Sequence, residues 1–589
     1  MSLNNKIRQF KLAGKLPTKE QINRALFAFS KKERVVFGVL VLLLLISSAA
    51  LLSILNRSLM IEVPLAGGNI SEGIVGTPRF INPVLGSSPA DLDMIALIYS
   101  GLMRKNSDGE LVPDLAAKYE KSDDGLSYTF TLKNKIYFQN GEPVTADDVL
   151  FTIDQVKNSV ITSPQKVNWE GVAAEKKDDR TIVFTLRQPN PNLLANATLG
   201  IMPKTIWAEG SPELNEANTM PVGSGPYKIE DVSKESSGVI NSYHLVAFDR
   251  FALGKPYIRE INFHFYPNEE EMLKALNDGE VNQVSSIAPA SAENLENEGY
   301  RIESETLPRV FGLFFNQNQN QLFIDKAVTN AINLAIDKEK IVREVLRGYG
   351  TVIDGPIPSD LLPAIAEKNK TEKTVRADVL ENVRDILAKD GWVDGPEGYL
   401  VKTTTAKNKK KMTATLEFSI STGNIPELVA AAELIRQDLA TVGIKVEVKT
   451  FEVGNLNQSV IGPRKYDALL FGQVINRESD LYAFWHSSQR KDPGRNIAMY
   501  TNARADSLLE DAFITLDPRL RAQKYAQFAA EIKKDVPAVF LYSPDFIYIT
   551  TKDLQGLSLK HIVSPSDRFN NAYKWFTKTE KVWKIFAKN

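Results

Sequence analysis

Side-chain chemistry needs a nucleophile beside a base, paired carboxylates across a bond, or metal ligands at fixed spacing. The 589-residue chain offers few such sets. It has no cysteine, which removes disulfides, thiolate metal sites, Cys nucleophiles and an N-terminal lipidated Cys together. Its four histidines are His244, His264, His486 and His561, and no two stand at the HxxxH spacing that presents two imidazoles to one metal. His244 and His264 lie in alternating, strand-like runs and read as structural. Gly223-Ser224-Gly225 lacks the GxSxG spacing of a nucleophile elbow, and Pro226 after it suits a turn. Neither GxxxxGK[ST] nor a GxGxxG opening a helix occurs. Acidic residues are scattered, with no pair that can be set across a bond. The expectation is binding without catalysis, with no catalytic residue, metal or cofactor.

At 43% apolar and 24% charged residues, the composition is that of a folded chain. The length exceeds one hydrophobic core, so two or three folding units are expected. Charge is unevenly placed. Residues 1–34 hold nine Lys/Arg against Glu20 and Glu33, a net of +7 in a chain whose total is −1. This basic tail precedes the apolar run VVFGVLVLLLLISSAALLSIL, 35–55, which as a helix spans about 32 Å and matches a bilayer core. Lys31, Lys32 and Arg34 stand before it and Arg57 alone closely after it, which predicts a cytoplasmic N-terminus and everything beyond about residue 56 outside. A cleaved signal peptide is the rival reading, since Ala49 and Ala50 are small. The run is longer than the roughly 7–15 residues of such a segment, and a long tail precedes it. Thr18-Lys19-Glu20-Gln21 fits a capping box before Ile22, Ala25, Leu26 and Phe29 at helical spacing.

After a short stalk, 56–68, β-rich runs alternate with amphipathic helices. SYTFTL (127–132) and TIVFTL (181–186) alternate as strands, and Thr145 opens a helix with Asp147 and Asp148 in its first turn. Asp325 caps a helix whose Val328, Ala331, Ile332, Ala335 and Ile336 share a face. ATLEFSI (413–419), the helix 428–442 with Leu428, Ala431, Ala432, Ile435 and Leu439 inward, and IKVEVKTF (444–451) form a crossover, hence a parallel pair. YDALLFG (466–472) is a further strand. The lysine-rich stretch 402–412 has no interleaved aromatics and reads as a solvated loop or hairpin, so no nucleic-acid partner is expected.

Several blocks, in a fixed order, carry a resemblance. They include GTPRFINPVLGSSPADLDMIALIYSGLM (76–103), PDLAAKYEKSDDGLSYTFTLKNKIYFQNGEPVTADDVLFTI (113–153), PVGSGPYKI (221–229), FGLFFNQNQNQLFIDKAVTNAINLAIDKEKIVREVLRGYG (311–350) and KYDALLFGQVINRESDLYAFW (465–485). From about residue 65 onward the chain resembles the extracellular solute-binding proteins of peptide and nickel uptake transporters, the oligopeptide- and dipeptide-binding type. The resemblance implies an α/β, two-lobed periplasmic-binding-protein-like fold with a hinge and an extra β-rich subdomain, here preceded by one transmembrane helix. It places lobe I with its subdomain at 69–310, lobe II at 311–545 and a C-terminal return to lobe I at 546–589. It implies a membrane-anchored receptor that closes on a peptide and passes it to ABC transporter permease subunits.

The ligand residues are expected where both lobes face the cleft. Gly472, Gln473 and Val474 would offer strand backbone to a peptide. Peptide-binding relatives commonly place an aspartate a few residues after this glycine, paired with the ligand's α-amine. The corresponding residue here is Asn476, with Arg477 beside it, and Glu478 or Asp480 could substitute. Thr77, Arg79, Asn316 and Trp485 complete the candidates, although Tyr482, Phe484 and Trp485 together form an aromatic cluster that reads as core packing more readily than as ligand stacking. A receptor for another solute such as a metal chelate or short sugar, a membrane-tethered enzyme acting on peptides or wall fragments, and a non-transport interaction module remain alternatives.

Overall fold

The computed structural model describes residues 18–358, 361–362, 375–405 and 411–587. The first half of the basic tail and the centre of the lysine-rich stretch, 406–410, lie outside them. The chain divides into two compact units, one of the segments up to Leu65 and from Lys578 onward, the other of Ala66–Thr577.

In the smaller unit, α1 (Lys19–Ala28) precedes α2 (Lys31–Leu59). A capping box sets the start of α2. The Ser30 amide donates to Glu33 Oε2 at 2.8 Å, and Ser30 Oγ accepts from the Glu33 amide at 3.4 Å. The apolar run 35–55 thus lies inside a longer helix, none of whose residues is buried. The expected stalk 56–68 proves structured. The helix continues to Leu59, and Met60–Pro64 then pairs antiparallel with Thr579–Trp583. The chain's last segment therefore joins the stalk, where a return to the first lobe was expected through 589. Strand pairing between opposite ends of a chain leaves no local mark in sequence.

The larger unit is built on a mixed twelve-stranded sheet. In chain order its strands are β1 (Asn69–Val75), β2 (Tyr227–Lys234), β3 (Ile240–Ala247), β4 (Glu260–Tyr266), β5 (Gln283–Ser285) and β6 (Arg301–Thr306). Then come β7 (Arg309–Phe315), β8 (Gly350–Val352), β9 (Glu417–Gly423), β10 (Lys445–Phe451), β11 (Ala468–Val474) and β12 (Ala538–Thr550). The spatial order is β10-β9-β11-β7-β12-β5-β1-β4-β3-β2, with β6 and β8 also paired to β12. β12 is the common member. Its Ala538–Tyr542 stretch pairs with β7, Ser543 and Pro544 with β8, and Asp545–Thr550 with β6.

The expected crossover is present with its first strand shifted, since Thr413–Thr415 belong to a separate hairpin with Val401–Thr403 and β9 begins at Glu417. β9 and β10 are parallel, joined by α3 (Pro426–Ala440), which buries Leu428, Ala431, Ala432, Ile435 and Leu439. The two alternating runs form the centre of a separate four-stranded antiparallel sheet, with Tyr128 opposite Phe184 and Phe130 opposite Ile182.

One hydrophobic core gathers residues from Ile70 to Phe265 and takes in Leu554, Phe569, Ala572 and Trp575 from the chain's end. Two more flank β7, β11 and the start of β12, one including Leu313 and Leu470, the other Val310 and Leu469. Through the first core runs a buried charge network. Arg568 donates to Glu72 Oε1 and Asp93 Oδ2, both at 2.6 Å, and the single hydroxyl proton of Tyr548 is shared between Glu72 Oε2, at 3.0 Å, and Gln283 Oε1. Both Arg568 and Glu72 side chains are wholly buried.

Candidate functional site

β11 leads into a loop, Ile475–Ser479, and a short helix, Asp480–Trp485. The loop is held from inside by its own acids. Asp480 Oδ2 accepts the Arg477 amide at 3.0 Å, and Glu478 pairs with Arg521 at 2.5 Å. Burial pushes the Asp480 carboxyl up, against the amides of Arg477 and Asn476 and the Arg477 charge. Neither acid is therefore free to meet a ligand's ammonium.

The loop reaches residues of the first core's side. Arg477 Nη1 donates to Asn196 Oδ1 and, at 3.4 Å, to Asn168 Oδ1, while Asn192 Nδ2 donates to Ser479 Oγ at 3.0 Å. Arg477 is held by neutral amides, and burial draws its pKa below the usual arginine value, with Asp480 opposing. Asn476 and Arg477 line a cavity of about 410 Å³ whose other walls include Tyr99, Ser100, Arg104, Asp114 and Asn196. Arg104 Nη1 stands 3.6 Å from Asp114 Oδ2, and its guanidinium lies 5.0 Å from the Tyr573 ring centroid. Burial raises the Asp114 pKa despite Arg104 and Lys133.

The other expected residues divide. Gly472, Gln473 and Val474 pair along one edge with β7, whereas β9 meets β11 only at Ala468 and Leu469. A Cβ at Gly472 would come within 2.6 Å of the Phe311 ring, so the glycine is set by packing as well. The Gln473 amide is buried, and both its polar atoms lack a partner among the described residues. Thr77 and Arg79 are exposed and do not line the cavity.

Asn316 is buried and fully engaged. Its Nδ2 donates to the Arg464 carbonyl at 2.9 Å and its Oδ1 accepts the Asn318 amide at 3.2 Å, so it shapes a turn rather than a ligand site. Trp485 is fully buried against Phe314, Tyr500, Phe528 and Phe540 and is core, not a stacking platform. The amides of Asn168, Asn192 and Asn196 went unread. PNPNLLAN (189–196) concentrates amides at a turn, but nothing local in it points to a loop near 477. Among the described residues, no group of three His, Asp or Glu is placed to hold a metal.

Residues 110–494, more than half the chain, match the model of the bacterial extracellular solute-binding proteins, family 5 middle. The chain belongs to this family. The oligopeptide-binding protein AppA of Bacillus subtilis is 28% identical over 532 residues, 87% of this chain and 92% of that protein. The structure of AppA in complex with a nonapeptide aligns over 87% of this chain and 99% of its own, at 26% identity and a TM-score of 0.66. NikZ of Campylobacter jejuni, in complex with Ni(L-His), aligns over 86% and 99% at 25% identity and a TM-score of 0.68. As in these family-5 relatives, the fold is a two-lobed α/β solute-binding fold, here with an N-terminal apolar helix long enough to cross a membrane.

Proposed function

We propose that this family-5 protein is a tethered extracytoplasmic receptor that captures peptides by closing two lobes and delivers them to ABC transporter permease subunits. α2 is the retained anchor, with the N-terminus cytoplasmic and the larger unit outside. Lobe I comprises about 69–310 with the segment from 546 to 577, and lobe II about 311–545. The hinge then falls where β12 passes from β7 to β6, since one continuous strand can bend there while keeping both halves registered.

The observation that carries the reading is the loop after β11. From one lobe, it sets Arg477 against Asn196 and Asn168 of the other, above a cavity that both line. A ligand that contacts both faces stabilises the closed arrangement by its differential affinity for it. The half-free edge of Gly472–Val474, outside the lining of that cavity, suits peptide main chain, whose N–H and C=O groups need partners once buried. With Glu478 and Asp480 engaged, recognition rests on that main chain more than on a terminal ammonium. Native mass spectrometry of the chain purified from its own cells tests this. Release of an intact peptide at one per chain is expected, whereas turnover of added peptides, or a non-peptide solute in the cleft, would contradict it.

A further inference from the structure

At its outer end α2 does not simply pass into a tether. Met60, the first residue after the helix, lies opposite Trp583 in the two-stranded ribbon. The Trp583 Nε1 donates to Asn56 Oδ1 at 2.8 Å. That bond fixes the indole at the last turn of α2, one residue beyond Leu55, where the apolar run ends. A single helical turn, Lys584–Phe586, follows. Trp583, Ile585 and Phe586 are 42%, 76% and 72% exposed, and Leu59 at the helix exit is exposed with them. The Trp583 and Phe586 rings stack with centroids 6.5 Å apart. Lys578, Lys581 and Lys584 are interspersed, with Lys581 near Glu62 at 3.6 Å.

Large apolar side chains gathered on one surface mark something that covers them. Here the patch is continuous with the uncovered face of α2, for which lipid is the matching solvent. An indole at the end of an apolar span, with lysines beside it, is the composition of a headgroup-level segment. The rings sit at the boundary and the ammonium groups reach phosphate.

We propose that Trp583–Phe586 is a second membrane contact, seated in the outer headgroup region of the bilayer beside the exit of α2. Trp583, Ile585 and Phe586 face the acyl chains, and Lys584 faces lipid phosphates. The two strands so pinned make the helix exit a ribbon with two points of membrane attachment. The proposal rests on α2 being a retained span.

The absence of cysteine allows a single fluorophore to be placed on the full chain as Ile585→Cys or, separately, as Leu52→Cys. Each labelled chain is reconstituted in vesicles of phosphatidylcholine and phosphatidylglycerol, with spin-labelled lipids as quenchers inside the bilayer and iodide as quencher in water. The Leu52→Cys label, about 4.5 Å inside the outer end of the apolar run, is expected to respond to lipid quenchers and to be shielded from iodide. The Ile585→Cys label is expected to lose about half its emission to shallow ones and to be shielded from iodide, as for a headgroup-level group. Adding Trp583→Ser and Phe586→Ser should restore its access to iodide. An iodide-accessible Ile585→Cys label beside a lipid-quenched Leu52→Cys label overturns the proposal and leaves the anchor standing. A Leu52→Cys label that lipid does not quench overturns the anchor and the proposal with it. Shielding of the Ile585→Cys label from both quenchers assigns the patch to a second copy of the chain and also overturns the proposal.

Discussion

Two arginines of the larger unit are withdrawn from water, and they are held in opposite ways. Arg568 is wholly buried between the carboxylates of Glu72 and Asp93. Burial alone would lower its pKa, but Asp93 and Glu72 hold it well above the usual arginine value. Arg477 is drawn out of water at the cleft with amide oxygens of Asn196 and Asn168 for partners, and its pKa falls. A charge locked by two buried counter-charges cannot leave them without stranding them, so that contact belongs to the fold. A charge held by neutral amides can exchange them for water or for a ligand at little cost, so that contact can open and close.

The largest effect is expected at the first arginine. Arg568→Met strands two carboxylates in the core and should cost about 3–5 kcal/mol in urea unfolding. A loss under about 1 kcal/mol would remove the distinction. Arg477→Gln should leave stability within about 1 kcal/mol yet open the ligand-free lobes, shifting that equilibrium about ten-fold, the worth of one charged hydrogen bond. Small-angle scattering would report it as a larger radius of gyration. Asn476→Asp adds the counter-charge that the loop lacks and should tighten peptides with free amines about ten-fold over N-acetylated ones in calorimetry. An equal effect on both would misplace the loop.

The smallest effect concerns Asp480. Its folded pKa is raised by burial, so its contribution to stability is fully present below the ordinary carboxylate pKa and fades as pH rises through the raised value. Asp480→Asn lacks that dependence. Relative to the parent it should gain stability as pH rises from about 4 to neutrality. Denaturant titration at both pH values checks the sign.

Much of this arrangement was legible in the sequence because its causes are local. The alternation in SYTFTL and TIVFTL and the apolar face of Leu428–Leu439 are fixed by period, and the structure places both as expected. Asn476 and Arg477 emerged from a block whose order along the chain marks the scaffold, and both line the cavity. Asn316 and Trp485 did not belong there. A conspicuous polar or aromatic residue beside a strand is as readily consumed by a turn or a core, and only the partners decide. The amides facing Arg477, and the ribbon joining Met60–Pro64 to Thr579–Trp583, depend on contacts between distant segments, for which no periodicity exists.

The distance between the two lobes with and without peptide is the most direct measurement. Spin labels at Val160→Cys and Leu520→Cys, both exposed positions, report it in an otherwise cysteine-free chain. Closure on cargo predicts a shorter, narrower distance distribution when a bound peptide is present, and a broader, longer one in Arg477→Gln without peptide. Identical distributions in all states, with peptide shown to be bound, would contradict it.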